Sequence, residues 1–454
     1  MSDLAPRARP FLAAAQDFAE GIDDPRAFLE GCLANIEARE KDLLVFTVTN
    51  IEAARTAADA SSARWREGKP LSPIDGMPIG VKDVIETRDM PTGMGSPLFD
   101  GWRSDRDSAS VRALREAGAV IVGKTVTTEF AASEPGPTRN PWDIARTPGG
   151  SSSGSAAGVA AGYFSAALGT QVIGSILRPS SYCGIVGFKP GVGAINRGGS
   201  HDYMSQSCQG VLAATLEDCW QTAFEIAQRC GGDPGHGGLQ GPSSLPKTPP
   251  PKRLALLETS GWDEASGEAK DALLAAAEDL RRAGIAVLTR KTSAKIEAAE
   301  QALKIAMPVS RTINAWESRW PLNTYRDRDA SKLSKAMLDR SYEAEAMTPD
   351  DYRKALAERA DARKVYASLA DEADGCITLA ASACAPVGLR STGSALFAVT
   401  SSMLGTPSLS LPVLRESNLP LGMQVIGFAD ADAQAFATAF AIANAVDPAR
   451  AIRA

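Results

Sequence analysis

The chain has 454 residues, of which 44% are hydrophobic and 22% charged, and its formal net charge is −6. This is an ordinary globular composition, and the negative charge argues against a nucleic-acid partner or an anionic membrane as partner. No apolar run is as long as a membrane-spanning helix requires, about 18 residues. The N-terminal stretch contains acidic residues and lacks the apolar core of a signal peptide.

Histidines and cysteines narrow the chemistry. The sequence has two histidines, His201 and His236, and seven cysteines without a CxxC pair. Unclustered cysteines in a chain this long indicate reduced thiols and predict a cytoplasmic protein. Two histidines nearly exclude a histidine-rich metal site. His236 lies in GGDPGHGGLQGP, which is typical of a surface loop, so the base of a hydrolase is not expected to be histidine.

The first half of the chain alternates between helix and strand patterns. Residues 10–65 carry Ala, Leu, Glu and Arg at helical spacing and predict helices. MPIGVKDVIE then predicts a strand, DSASVRALREAG a helix that ends at Gly118, and AVIVGKT the next strand. AGYFSAALGTQ predicts a further apolar strand. This alternation predicts an α/β fold with a mainly parallel sheet covered by helices.

A Gly- and Pro-rich stretch, residues 231–252, predicts a linker loop. After it, RLALLE predicts a buried strand, SGEAKDALLAAAEDLRRAG a helix with Gly284 beyond its end, and IAVLT another strand. Because this unit repeats the earlier α/β rhythm, residues 252–290 are expected to rejoin the same sheet.

Residues 292–371 show no strand pattern and predict a helical excursion, in which Thr348, Pro349 and Asp351 start one helix. The strands GCITLAA, PSLSLPV and GMQVIGF and an Ala-rich helix complete the chain. We therefore expect one α/β domain over residues 1–454. Its parts are N-terminal helices (1–70), a core (71–230), the linker loop (231–252) and a second part of the sheet (253–454).

Three short stretches carry the residues of chemical interest: IGVKDVI at 79–85, TPGGSSSGSAAGVAAG at 147–162 and GTQVIGSILRPSSYCGIVGFKP at 169–190. Glycines let a backbone pass close to other groups, and successive backbone N–H groups in such loops can bind an anion. A flexible linker is the plain alternative for the Gly/Ser stretch, although the apolar residues that follow it must be packed. A P-loop is excluded because the G-K-[ST] ending is missing.

Lys82 lies within an apolar strand pattern, where lysine is rare unless it is paired. An edge strand with a solvated Lys82, or a surface pair of Lys82 and Asp83, would explain it without function. A buried lysine, however, loses proton affinity and can act as a general base near neutral pH. A serine beside such a lysine is a nucleophile that needs no histidine.

The three stretches, in this order, resemble the amidase signature family. Its pattern is a lysine after G-V/L, then GGSSGGSA, then G-T-D-x-G-G-S-I-R-x-P-x-x-x-C-G-x-x-G-x-K-P. The spacing of Ser151 and Ser175 equals that of the family's two active serines. The resemblance runs from about residue 20 to about residue 447. The three stretches in this order are specific for the family, whereas any one of them alone is not. It implies the amidase signature fold, with a large mixed, mainly parallel central sheet covered by helices on both faces.

The resemblance also implies a Ser–Ser–Lys triad without metal or cofactor. Ser175 would be the nucleophile, Ser151 would follow a cis peptide and relay a proton, and Lys82 would be the terminal base. Ser152 and Ser155 would hold the loop or cap the helix. The oxyanion hole of the family uses backbone N–H groups before the nucleophile, which here belong to Val172, Ile173, Gly174 and Ser175.

Four positions depart from the family pattern. Gln171 stands where Asp is frequent, and Ile173 stands where Gly is usual, so a β-branched side chain crowds the loop. Ser153 replaces a Gly, which bears on any need for a positive φ there. Arg178 follows the nucleophile by three residues instead of two. It is a candidate for binding an acidic group of the substrate, with a structural ion pair as the alternative.

We therefore expect a cytoplasmic amidohydrolase that cleaves a small-molecule amide through an acyl-enzyme, with carbamates, urea-like bonds and esters within reach. One alternative is the glutaminase subunit of a tRNA-dependent amidotransferase, which needs a partner chain. Another is a catalytically inactive binding or scaffold protein of the same fold. The sequence leaves open whether the chain forms a homodimer.

Overall fold

The computed structural model describes residues 6–132 and 134–451. Its α-helices within these ranges are α1 (Phe11–Glu20), α2 (Pro25–Leu43), α3 (Ile51–Arg66), α4 (Ala109–Glu116), α5 (Ser153–Ala160), α6 (Leu177–Cys183), α7 (Leu216–Cys230), α8 (Gly267–Arg282), α9 (Ala294–Leu303), α10 (Ala306–Asp329), α11 (Lys335–Ala346), α12 (Pro349–Ala367), α13 (Ala398–Leu404) and α14 (Asp432–Ala445). In this part of the chain no helix combines the length and apolar character needed to cross a membrane.

The strands are β1 (Phe46–Thr49), β2 (Pro78–Lys82), β3 (Val120–Thr125), β4 (Ala166–Gln171), β5 (Val186–Lys189), β6 (Cys208–Ala213), β7 (Arg253–Leu256), β8 (Ala286–Leu288), β9 (Cys376–Leu379), β10 (Ser408–Glu416) and β11 (Leu419–Ile426). They form one 11-stranded sheet in the order β1-β3-β2-β4-β6-β5-β10-β11-β9-β7-β8. The prediction of a large mixed α/β sheet is confirmed, and the strands within residues 252–290 rejoin it as expected.

The expectation of a mainly parallel sheet is wrong. The described strands make six antiparallel pairings and four parallel ones. Two features outside the α/β rhythm cause this. Strands β5 and β6, which the sequence pattern did not reveal, pair antiparallel with each other. A two-residue turn of Ser417 and Asn418, with φ of 47° and 62°, joins β10 to β11, and such a turn permits only a hairpin.

Several element boundaries follow the predicted signals. Gly118 and Gly284 both adopt a φ of 88° beyond the ends of α4 and α8, a backbone conformation that favours glycine. Thr348 and Asp351 form a reciprocal capping box at the start of α12. The predicted N-terminal helices are interrupted by the four-residue strand β1, which pairs with β3. A strand this short has no resolvable period of its own.

The position of two neighbouring strands brings the three stretches of interest together. Strand β4 runs parallel to β2, so both strands end at the same edge of the sheet. In open α/β sheets ligands bind at that edge. Lys82 is the last residue of β2, and Gln171 is the last residue of β4. The Gly/Ser stretch enters α5, which packs against β2 and β4.

Candidate active site

Lys82 is fully buried. Strand β2 lies between β3 and β4, and the Lys82 side chain has no exposed surface. Both alternatives without function are therefore wrong: β2 is no edge strand, and Asp83 pairs with Lys124 at 2.9 Å, not with Lys82. Burial lowers the pKa of Lys82 to about 7, and the charge of nearby Asp202 opposes this shift.

Three hydrogen-bond partners surround the amine of Lys82. Its Nζ lies 2.7 Å from Ser151 Oγ, 2.7 Å from Thr170 Oγ1 and 3.4 Å from the Thr170 carbonyl oxygen. A protonated amine donates to all three. A neutral amine donates to the two oxygens of Thr170 and accepts the hydroxyl proton of Ser151. This arrangement therefore accommodates both protonation states.

The Gly/Ser stretch is a packed loop and no flexible linker. Ser151 has 1% exposed surface, and the peptide bond between Gly150 and Ser151 is cis. Ser152 Oγ donates to the Thr170 carbonyl, and Ser155 Oγ donates to the Leu168 carbonyl. Ser152 thus holds the loop, and Ser155 holds the first turn of α5, against β4.

Ser153 needs no positive φ, because it is the first residue of α5 and its hydroxyl donates to the Val126 carbonyl. The glycine requirement lies instead at Gly149, which has a φ of 81°. A Cβ built there would stand 2.8 Å from the backbone of Pro179. The exchange of Gly for Ser at position 153 therefore leaves the loop conformation intact.

The backbone carbonyls of Val172, Ile173 and Gly174 all accept hydrogen bonds. The carbonyl of Val172 accepts from Gln206 Nε2 at 3.0 Å, and that of Ile173 accepts from Ser402 Oγ at 3.0 Å. The carbonyl of Gly174 accepts from the Arg178 N–H in the first turn of α6. Because C=O and N–H of a trans peptide point in opposite directions, the N–H groups of residues 173–175 face away from these partners.

Residues 172–175 line the cavity. The hydrogen bonds of the described residues include no acceptor for these N–H groups. Ser175, with 6% exposed surface, lies at the same wall. The arrangement can therefore place a developing negative charge next to a serine hydroxyl.

Gln171 braces the loop from behind. Its Oε1 accepts from the N–H groups of Ile176 and Leu177 at 2.9 and 3.0 Å, and its Nε2 donates to Ser402 Oγ at 3.0 Å. The side chain of Ile173 packs against a hydrophobic cluster that includes Val399 and Met403. Gln171 thus satisfies N–H groups at the start of α6 that have no partner within the helix. The β-branched side chain of Ile173 is accommodated by apolar neighbours.

Ser151 and Ser175 are adjacent through their backbones. The N–H of Ser152 donates to the Ser175 carbonyl at 3.3 Å. The hydrogen bonds of the described residues include none between the two side-chain hydroxyls. Catalytic hydrogen bonds are often long before substrate binds, so the proton relay from Ser175 to Ser151 stays a prediction.

Arg178 is buried and holds the cis peptide. Its guanidinium donates to the carbonyls of Gly150 at 2.6 Å and Gly393 at 3.0 Å. Burial lowers the pKa of Arg178 to about 10. The expected alternative of a structural ion pair is wrong, because the ion pairs among the described residues do not include Arg178. Its Nε has no partner there and Arg178 lines the cavity, so the substrate role stays a prediction.

A cavity of about 940 Å³ opens over the loop of residues 172–175. One wall is aromatic: Phe130 stacks on Tyr325 with ring centroids 4.7 Å apart. The backbone of Phe130 has a φ of 48°, which is unusual for a bulky residue and is found preferentially at functional sites. Tyr325 belongs to α10 of the helical excursion, and further residues of α10 and α11 also line the cavity.

The histidines lie apart from Lys82. His201 Nε2 is 3.2 Å from Glu86 Oε1, and burial lowers the pKa of the imidazole. Its ring stands edge-on to Trp102 at the wall of the cavity. His236 is exposed in the linker loop. In the described part of the chain, no three His, Cys, Asp or Glu side chains are grouped to hold a metal ion.

Sequence reasoning missed three residues of the site: Thr170, Gln206 and Asp202. A polar residue at the carboxyl end of a buried strand is a signal that points to Thr170. Gln206 and Asp202 belong to the irregular segment between β5 and β6. That segment has no periodic pattern that predicts the position of Asp202 at the cavity or the contact of Gln206 with Val172.

Comparison with known proteins shows the family and the fold. A family model described as Amidase matches residues 27–436. The peptide amidase from Stenotrophomonas maltophilia superposes with a TM-score of 0.78 at 26% identity, covering 96% of each chain. The chain is thus similar to a solved amidase over nearly its full length.

Two curated relatives carry a different name. The glutamyl-tRNA(Gln) amidotransferase subunit from Anaeromyxobacter sp. (strain K) is 42% identical over 213 residues, 45% of this chain and 43% of that protein. The protein of the same name from Salinispora arenicola (strain CNS-205) is 29% identical over 496 residues, 99% of both chains. The chain therefore matches less than half the length of the first relative.

Proposed function

Since the chain belongs to the amidase family, we propose that it hydrolyses small-molecule amides by acyl transfer through Ser175, Ser151 and Lys82. The observation that carries the proposal is the fully buried Lys82, whose amine lies 2.7 Å from Ser151 Oγ at the wall behind Ser175. A lysine with a pKa of about 7 is half neutral at neutral pH, as a general base must be.

In the first half-reaction Ser175 Oγ attacks the substrate carbonyl carbon. Its proton passes to Ser151 Oγ as Ser151 gives its own proton to neutral Lys82. The N–H groups of Ile173, Gly174 and Ser175 stabilise the oxyanion. The C–N bond then breaks, and the proton returns through Ser151 to the leaving nitrogen. The products of this half-reaction are a free amine or ammonia and an ester at Ser175.

In the second half-reaction water attacks the acyl-enzyme. Lys82 takes the proton of the water through Ser151, the oxyanion forms at the same N–H groups, and Ser175 leaves with that proton. The acid product is released and Lys82 is again neutral. This cycle consumes one water for each C–N bond. Carbamates, urea-like bonds and esters can enter it, since each presents a carbonyl with a leaving group.

A second candidate function is favoured by the curated relatives. Both are named as a subunit of glutamyl-tRNA(Gln) amidotransferase. These sequence identities, 42% and 29%, are higher than the 26% identity to the solved peptide amidase. In that case glutamine would be the amide, and the released ammonia would pass to a partner protein. The chemistry at Ser175 would be the same, because glutamine hydrolysis is also acyl transfer.

One experiment separates the two functions. The purified chain is offered a panel of aryl and alkyl amides, carbamates, esters and glutamine, and ammonia or amine release is measured for wild type and Ser175→Ala. Turnover of simple amides by the isolated chain, lost in Ser175→Ala, supports the free amidase. Glutamine as the sole substrate supports the amidotransferase function. If the isolated chain turns over no compound of the panel, the free amidase is contradicted, and the chain is an inactive scaffold or a subunit that needs its partner chain.

A further inference from the structure

Asp202 is a buried carboxylate at the wall of the cavity. It lies between β5 and β6 with 3% exposed surface. Its Oδ1 accepts from the hydroxyl of Ser207. Its Oδ2 has no hydrogen-bond partner in the described part of the chain, and the ion pairs there do not include Asp202. A buried carboxylate oxygen without a donor destabilises the fold. A purely structural role through Ser207 therefore accounts for Oδ1 but not for Oδ2.

Asp202 stands close to the chemistry. The neighbouring Gln206 donates to the carbonyl of Val172, which ties this segment to the loop that presents the N–H groups. The amide oxygen of Gln206 is also buried without a donor in the described part of the chain. Asp202 is near enough to Lys82 for its charge to act on the amine. The wall of the cavity therefore has an unpartnered acceptor, Asp202 Oδ2, and the group that complements it is a donor.

The charge of the cavity favours a cationic donor. Six carboxylate side chains line it against four arginines. Of those arginines, Arg178 has two of its N–H groups engaged by backbone carbonyls, and Arg340 is near enough for the charge of Asp202 to act on it, without an ion pair between the two. Cavities lined by an excess of one charge concentrate ligands of the opposite charge, and an N–H donor that is charged makes the stronger hydrogen bond to a carboxylate.

We propose that Asp202 Oδ2 binds a protonated amino group of the substrate, so that the preferred substrates are amides that also carry an ammonium group. The proposal rests on the amide hydrolysis inferred above. It adds a specificity residue that touches the part of the substrate outside the scissile bond. Asp202 takes no part in the proton transfers.

The test compares 4-aminobutanamide with butanamide at about pH 8.5, where the amine, with a pKa near that of lysine, is protonated and Lys82 is mostly neutral. Wild type is expected to prefer the amino-bearing amide in kcat/KM. Asp202→Asn keeps an acceptor for Ser207 and should reduce that preference by about ten- to hundredfold, the range for a lost hydrogen bond to a charged group. The loss in kcat/KM for butanamide should be smaller than the loss for 4-aminobutanamide.

Asp339→Asn is the matched control. Asp339 lines the same cavity but is exposed and paired with Lys335, so this variant removes the same charge without removing the contact. Equal loss of preference in both variants overturns the proposal, because the summed negative charge of the cavity would then explain the preference without a contact to Asp202. An equal loss on both substrates in Asp202→Asn, or no change in preference, also overturns it.

A measurement on the wild type does not depend on the folding of a variant. n-Butylamine should inhibit butanamide hydrolysis more strongly than n-butanol does, and equal inhibition contradicts the proposal. If wild type hydrolyses no amide, the proposed function has failed instead. Calorimetry of n-butylamine with the wild type and with Asp202→Asn then decides the binding site alone: binding that the variant loses supports it, and equal or absent binding refutes it.

Discussion

Lys82 Nζ and Ser151 Oγ lie 2.7 Å apart in the interior of the protein, with 0% and 1% of the two residues exposed. The pair joins the end of β2 to a loop 69 positions further along the chain. Burial that removes a charged amine from water is what makes the lysine a base. The predictions below follow from this relationship and from the groups that surround it.

The activity should rise with pH through an apparent pKa near 7. Burial disfavours the protonated form and lowers the pKa of Lys82 to about 7. The base works only when neutral, so activity is low below this pH and reaches a plateau above it. The apparent value belongs to the coupled Ser–Ser–Lys unit. A kcat/KM profile from about pH 5 to 10 measures it.

Substitutions at Lys82 test the same assignment. Lys82→Ala should lose most of the rate together with the ionisation, by about 10²–10⁴-fold. Lys82→Arg should not restore it, because guanidinium stays protonated and cannot accept the serine proton. An arginine variant with near wild-type activity would refute the role of Lys82 as the base.

Ser175→Ala should abolish covalent labelling by a fluorophosphonate or sulfonyl fluoride, because such reagents phosphonylate or sulfonylate an activated serine hydroxyl with loss of fluoride. Cys183→Ala is the control and should label like wild type. Cys183 is fully buried and burial raises the pKa of its thiol, so it is inert. Mass spectrometry of intact protein gives the stoichiometry, and full labelling of the alanine variant at position 175 would contradict the assignment.

Gln171→Ala should lower kcat and leave KM nearly unchanged. The change removes the acceptor for the N–H groups of Ile176 and Leu177 and a donor to Ser402. The loop of residues 172–175 then loses hydrogen bonds that fix its position, and the proposed oxyanion donors are less well oriented. We expect a loss of about ten- to hundredfold, below the effect of deleting a donor outright. Gln171→Glu keeps the acceptor and should retain more activity than Ala. Equal kcat for wild type and Gln171→Ala would exclude this positioning role.

Replacement of both histidines by Asn should leave kcat/KM within about tenfold, or about 1.4 kcal/mol of barrier. His201 bonds to Glu86 and His236 is exposed, so neither contacts the amine or hydroxyls of the proposed triad. Steady-state kinetics on the folded double variant measure the effect. A loss of about 10²–10⁴-fold, typical of a missing general base, would return histidine to the mechanism.

Asp218→Ala should destabilise the fold by about 1–2 kcal/mol, the cost of a lost helix cap. Helix α1 has no side-chain cap of its own, and the buried Asp218 of α7 accepts from the N–H groups of Phe11 and Leu12. Urea unfolding measures the change. Glu217→Ala, at the exposed neighbouring position, is the control and should stay within about 0.5 kcal/mol. Equal stability of both variants would show that Asp218 does not hold α1.

The sequence alone determined the family, the mixed α/β fold and the candidate triad. Local patterns carry this information: glycine at positive φ after α4 and α8, the capping box at Thr348, and the order of the stretches around Lys82, Ser151 and Ser175. The same patterns missed β5 and β6 and overstated the parallel pairings. Pairing direction depends on which strands become neighbours, and that is a long-range choice which a local period does not encode.

Only the tertiary structure decided the environment of each side chain. The burial of Lys82 depends on β3 and β4 flanking β2, so sequence reasoning had to leave a solvated lysine open. Arg178 turned out to hold the carbonyls of Gly150 and Gly393, and Asp202 reached the cavity from an irregular segment. Burial and hydrogen-bond partners arise from contacts between residues far apart in the chain, and these set the proton affinity and the charge that a substrate meets.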